Sequence, residues 1–149
     1  MKKPITAATT KTSTILSVSS DALDHSSLES ILGGTGCTLL KADSLTAGVE
    51  LLKTHVVAVV ICERDLCPGT WIDLLEYTKN LHRPPALIVT SRLADEYLWS
   101  LALHLTAWDV LPKPFDRHEV ARTVHFAWEY WHHQVETAPK QAKVMTATG

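Results

Sequence analysis

The chain lacks the features that mark several broad classes of protein. No stretch approaches the roughly 20 apolar residues of a membrane-spanning helix. The opening MKKPITAATTKTS has two lysines with no apolar segment behind them, so it does not read as a secretory signal. Lys and Arg form no dense stripe and the net charge is −2. That argues against nucleic acid as a direct partner, because phosphate contacts need clustered cations. Cysteine is scarce: Cys37, Cys62 and Cys67 are the only three. An odd count, with one thiol inside an apolar run, builds no disulfide framework and fits a reducing, cytoplasmic compartment. Zinc spacing is missing. So is the G-x-S-x-G elbow of a Ser-His-Asp hydrolase. Gly33-Gly34-Thr35-Gly36 follows a helical pattern rather than a strand, and reads as a helix stop, not a nucleotide loop.

What remains is an ordinary globular composition, 46% hydrophobic and 20% charged, over 149 residues. That suits one domain with a substantial core. Residues 1–12 and 135–149 show no periodicity and read as flexible tails around a domain at 13–134. Inside it, strand-like runs at 13–18, 37–41, 56–62, 86–90 and 108–111 alternate with helical patterns. The third and fourth runs are β-branched and unbroken, as in strands covered on both faces. Ser20 or Asp21 can cap the first helix, which carries Leu23, Leu28, Ile31 and Leu32; Asp43 or Ser44 can cap the second. The third is expected over 70–81, with Trp71, Leu74, Leu75 and Thr78 on one side. The fourth covers 93–105, and the fifth 116–134. Strict β-α alternation predicts a doubly wound parallel sheet of the flavodoxin-like (βα)5 type, strand order 2-1-3-4-5. Chemistry in such a sheet lies beyond the carboxyl ends of the strands, near the switch between strands 1 and 3. That rule brings Ser19, Ser20, Asp21, Glu63, Thr90, Ser91 and Lys113 to one mouth.

The pieces LPKPFD (111–116), VTS (89–91) and RDLCPGTWIDLL (64–75), set in five alternating units, resemble the receiver domains of two-component response regulators, the CheY-like family. The resemblance covers about residues 13–133. It implies an acidic pair after strand 1 that holds Mg²⁺, an aspartate after strand 3 that accepts a phosphoryl group from a histidine kinase, a Thr or Ser after strand 4, and a Lys after strand 5. It also implies an aromatic switch in strand 5 and a cis peptide between Lys113 and Pro114. Only Thr90 and Lys113 match that pattern. The acidic pair falls on Ser19 and Ser20, the acceptor on Glu63, and the switch on Val110.

These departures have physical consequences. Mg²⁺ prefers carboxylate and water oxygens in near-octahedral geometry, and neutral serine hydroxyls compete poorly with water for it. Asp21 is a weak substitute ligand, since its position suits a helix cap. Glu63 is longer than Asp by about 1.5 Å, and a misplacement of about 1 Å can cost about 100-fold in rate. The expectation is a degenerate pocket without metal or cofactor, in which Glu63 pairs with Lys113. A Mg²⁺-dependent phospho-acceptor at Glu63 is the competing reading. Binding of a small anion or nucleotide beside Lys113 is a third.

Five tryptophans are many for this length, and Trp99, Trp108, Trp128 and Trp131 fall in the last third. Val120, Val124, Ala127 and Trp131 keep helical spacing toward the sheet. Trp99, Trp108, Phe126, Trp128 and Tyr130 are left as candidates for an interaction surface on helix 4, strand 5 and helix 5, the edge the resemblance implies for dimers and partners. His118, His125 and His132 recur every seven residues, about 10 Å apart along a helix, so they read as a solvated face and not as metal ligands. The chain therefore reads as a non-enzymatic signalling module. It acts by contact with a histidine kinase, another regulator or a second copy, with too little sequence after helix 5 for an output domain.

Overall fold

A computed structural model describes residues 13–148, with side chains described through residue 134. The expected N-terminal tail, 1–12, lies outside the described residues. Five strands form one parallel sheet in the order β2-β1-β3-β4-β5: β1 Thr14–Val18, β2 Thr38–Ala42, β3 Val59–Glu63, β4 Ala86–Ser91 and β5 Asp109–Pro112. Between and after them run α1 Ala22–Leu32, α2 Leu45–Thr54, α3 Trp71–Lys79, α4 Glu96–His104 and α5 Arg117–Thr148. This is the flavodoxin-like α/β architecture read from the alternation.

Each strand alternates its side chains between the two faces of the sheet, and each face has its own core. Ile15, Val59, Ile61, Ile88 and Leu111 pack with Leu28 and Leu32 of α1 and with Val120, Val124, Ala127 and Trp131 of α5. Leu16, Val18, Val60, Cys62, Leu87, Val89 and Val110 pack on the other side with Leu52 of α2, Trp71, Leu74 and Leu75 of α3, and Leu98 and Ala102 of α4. The α3 face of Trp71, Leu74, Leu75 and Thr78 is buried as its spacing requires. A capping box holds the start of α3: the Thr70 hydroxyl accepts from the backbone N–H of Ile72, while the Asp73 carboxylate accepts from that of Thr70.

Several boundaries differ from the sequence expectation. The third strand begins at Val59, not at residue 56, and Val56 is exposed. It runs through Glu63, so the carboxylate belongs to the strand. Asp21 and Ser44 supply the caps of α1 and α2, accepting from the N–H groups of Leu23 and Ala47. The first helix ends at Leu32 with Gly33 as its C-cap, where the glycine pair placed the stop. A 3₁₀ turn spans Gly33–Thr35, and Gly36 at φ 85° makes the left-handed exit that a side chain disfavours. Leu23 is exposed, whereas Asp24, Leu28 and Leu32 share the buried stripe of α1. The fifth helix passes residue 134 and stays helical to Thr148, where a loose tail was expected.

Trp71 is 2% exposed and belongs to the core on the face covered by α2, α3 and α4. Trp71→Ala is expected to cost about 3–5 kcal/mol in urea unfolding, the loss of a fully buried aromatic plus its cavity.

Candidate functional site

The parallel ladders bring the strand ends level. Val18 pairs with Cys62 across β1 and β3, so Ser19 and Glu63 follow side by side; Glu63 in turn pairs with Thr90, and Thr90 with Leu111. The backbone N–H of Lys113 donates to the carbonyl of Ser91 at 3.0 Å, extending the last ladder by one residue beyond β5. Side-chain alternation then decides which groups meet. Ser17 and Ser19 follow Ile15, Glu63 follows Ile61, Thr90 follows Ile88, and Lys113 follows Leu111 at steps of two. All five lie on the face that α1 covers. Ser20 takes the opposite phase and is exposed, so the structure does not bring it to the mouth.

At the mouth, Lys113 is held by two carboxylates. Its Nζ donates to Asp24 Oδ2 at 2.9 Å and lies 3.4 Å from Glu63 Oε2. The Lys113 and Asp24 side chains are only 6% and 8% exposed, and that of Glu63 is 24% exposed. Ser19 Oγ joins the two acids, 2.7 Å from Asp24 Oδ2 and 2.8 Å from Glu63 Oε1, and accepts from the Asp21 N–H at 3.0 Å. A hydroxyl has one proton to give. It serves one carboxylate at a time, while the lysine serves both. The extra methylene of Glu63 lets one carboxylate oxygen reach Ser19 and the other approach Lys113.

Asp24 is the residue that sequence reasoning missed. Its signal was present, because it stands four and eight residues before Leu28 and Leu32, on the apolar stripe of α1. A carboxylate on a buried stripe must find a partner. Only the fold shows that the partner is Lys113, 89 residues away.

His25 fixes the turn beside it. Its Nε2 lies 2.9 Å from the Ser19 carbonyl and its Nδ1 2.8 Å from Ser17 Oγ. A carbonyl only accepts, so Nε2 carries a proton. Asp21 is engaged as the α1 cap, and its second oxygen lies 3.6 Å from Arg92. Thr90 is buried at the mouth, but its hydroxyl makes no hydrogen bond to Glu63 or Lys113 among the described residues. Ser91, beside it, accepts from the N–H of Leu93. Val110 is 1% exposed and packs in the core with Leu98 and Ala102 of α4. Cys62, next to Glu63, is fully buried. Burial, and after it the charge of Glu63, pushes its thiol far above the ordinary range, so it remains a thiol and not a nucleophile. The Lys113–Pro114 peptide is cis, as the resemblance implied.

The candidate contact residues separate. Trp108, Phe126, Trp128 and Tyr130 line one open groove, with the Trp108 and Tyr130 rings 4.8 Å apart. Trp99 stands on α4 with exposed Tyr97 and Leu103 nearby in sequence. Trp128 and Trp108 are half-buried against the α5-side core. His125 lies 3.4 Å from Glu129, and His132 stacks on Trp128. Among the described residues, no cluster of three or more His, Cys, Asp or Glu side chains is arranged to hold a metal ion.

No family model and no curated protein matches the chain. Solved structures do. A signal receiver domain of an HD domain-containing protein from Pseudomonas fluorescens Pf-5 is 25% identical with a TM-score of 0.77, covering 83% of this chain and 92% of that one. The signal receiver domain of a putative Luxo repressor protein from Vibrio parahaemolyticus reaches 0.78 at 12% identity over 84% and 96%. A CheY-like response regulator receiver domain protein from Methanospirillum hungatei JF-1 reaches 0.74 at 17% identity over 82% and 98%. The fold is that of a receiver domain. The pocket described above therefore occupies the end of the sheet where the resemblance placed the phospho-acceptor site.

Removing the cation tests the energetics of this receiver-fold pocket. Lys113→Met keeps the apolar stem and leaves two carboxylates facing each other. It is expected to cost about 3–5 kcal/mol in denaturant unfolding, the range for orphaning a buried ionic partner.

Proposed function

We propose that the protein is a receiver-like signalling module that takes no phosphoryl group and acts through protein contact. The observation that carries this reading is Lys113, already engaged by Asp24 and Glu63. Phosphoryl transfer to a carboxylate depends on positioning and on cations that neutralise the developing charge. In this pocket the ammonium is spent on resident acids, and Glu63 is turned toward Ser19 and Lys113. Magnesium fits the donor set poorly. The resident oxygens are those of Asp24 and Glu63, and both acids already share the ammonium and the Ser19 hydroxyl. Serine at position 19 adds no negative charge, and Asp21 is committed to the α1 cap. These features support a metal-free, cofactor-free pocket and a non-enzymatic role.

Val110 supports a fixed conformation. A small aliphatic side chain locked in the core has no ring to swing between inner and outer positions. The contact surface is the aromatic edge of α4, β5 and α5, where Trp99, Phe126 and Tyr130 are 43%, 53% and 48% exposed. Exposed aromatics of this density favour a protein partner: a histidine kinase, another regulator, or a second copy of the chain.

Two measurements check this. Incubation with Mg²⁺ and a small phosphodonor such as acetyl phosphate, or with beryllofluoride, is expected to leave the intact mass and the tryptophan fluorescence unchanged. A Mg²⁺-dependent mass gain that disappears in Glu63→Ala refutes the reading. Size-exclusion with light scattering is expected to give a mass above the 16.5 kDa monomer at high concentration, returning to monomer in Phe126→Ala/Tyr130→Ala. A strict monomer at all concentrations removes the second copy from the list of partners.

A further inference from the structure

We propose that Asp24 is the resident counter-ion of Lys113, a positioning residue that closes the pocket to incoming anions. The inference deepens the proposed function and rests on its premise that the pocket takes no phosphoryl group. Three observations favour Asp24 over Glu63 as the principal partner. The lysine donates a hydrogen bond to Asp24 at 2.9 Å, whereas its approach to Glu63 is an ion-pair distance of 3.4 Å. Both members of the Asp24–Lys113 pair are below 9% exposure, while Glu63 is three times as open as Asp24. Finally, Asp24 stands in the first turn of α1, where the unpaired N–H groups and the helix dipole favour a carboxylate.

Dependence between the two residues is mutual. Lys113 is the only cationic side chain within salt-bridge distance of Asp24 among the described residues. Were the ammonium to turn toward a phosphoryl group, Asp24 would be left buried without a cation beside Glu63 and a dianion. The pocket would then hold more negative charge than one lysine can offset. Asp24 thus replaces, from a helix, the charge that serine took away from the end of β1, and it spends that charge on the lysine instead of a metal ion. The Ser19 hydroxyl lies between both acids and gives its single proton to one of them at a time.

Site-specific acetylation of lysines, read by peptide mass mapping, tests the assignment. Lys41 and Lys53, with side chains 45% and 55% exposed, serve as internal standards. In the natural chain Lys113 is expected to react far more slowly than either. Asp24→Asn is expected to speed its reaction roughly tenfold or more, the effect of losing one charge-assisted hydrogen bond. Glu63→Gln is expected to change it by no more than about twofold, as for a partly exposed pair. Inorganic phosphate at constant ionic strength should slow Lys113 again in Asp24→Asn and leave the natural chain unaffected. The inference fails if Glu63→Gln frees Lys113 as much as Asp24→Asn does, or if Lys113 is as reactive as Lys41 in the natural chain. If Asp24→Asn does not fold, Asp24→Glu combined with Glu63→Gln decides: protection retained supports the assignment, and protection lost overturns it. Phosphoryl uptake by the natural chain, by contrast, would sink the proposed function whatever the lysine labelling shows.

Discussion

The end of this sheet is organised by one ammonium group. Lys113 emerges just beyond β5 into a space from which water is largely excluded, and a charge there must be matched. Asp24 arrives from α1 and Glu63 from β3, so one cation ties a helix to two strands that are not neighbours in the sheet. Ser19 adds β1 through its hydroxyl, and His25 ties that turn back to Ser17. Each link is modest in isolation. Together they tie the ends of β1, β3 and β5 to the start of α1.

Chemistry follows from which side of the bookkeeping the lysine stands on. A lysine facing an empty acidic cup can turn to an incoming dianion. A lysine already shared by two carboxylates has little to gain by turning, and each acid loses its cation if it does. The residue after β1 that faces this mouth is Ser19. It places a neutral proton donor between Asp24 and Glu63 and so allows the two acids to sit close to one lysine. The thiol of Cys62 adds nothing to this chemistry, because burial keeps it protonated.

The β5–α5 side of the domain carries a different kind of surface. Around β5 and α5 the aromatic residues are split between packing and exposure: Trp131 is 4% exposed and belongs to the core, whereas Phe126 and Tyr130 stand out. Helical spacing separated Trp131 from Phe126 correctly. It left Trp128 open, and Trp128 and Trp108, the latter at the start of the strand 5 run, are both half-buried walls of a groove.

The order of strands and helices, the two-faced core, the α3 stripe and the gathering of Ser19, Glu63, Thr90 and Lys113 were legible in the sequence, since period-2 and period-3.6 patterns are local properties. Element ends were less so: the third strand was read over 56–62, yet it begins at Val59 and runs through Glu63. What the sequence by itself determined is therefore the layer architecture and the identity of the residues at its mouth. Their partners were decided only by tertiary structure. Alternation about each strand sends Ser20 outward and Ser19 inward, and the docking of α1 on that face sets Asp24 against Lys113. No local pattern encodes a contact across 89 residues, because it arises from how a helix is laid over the sheet and not from the propensity of either residue.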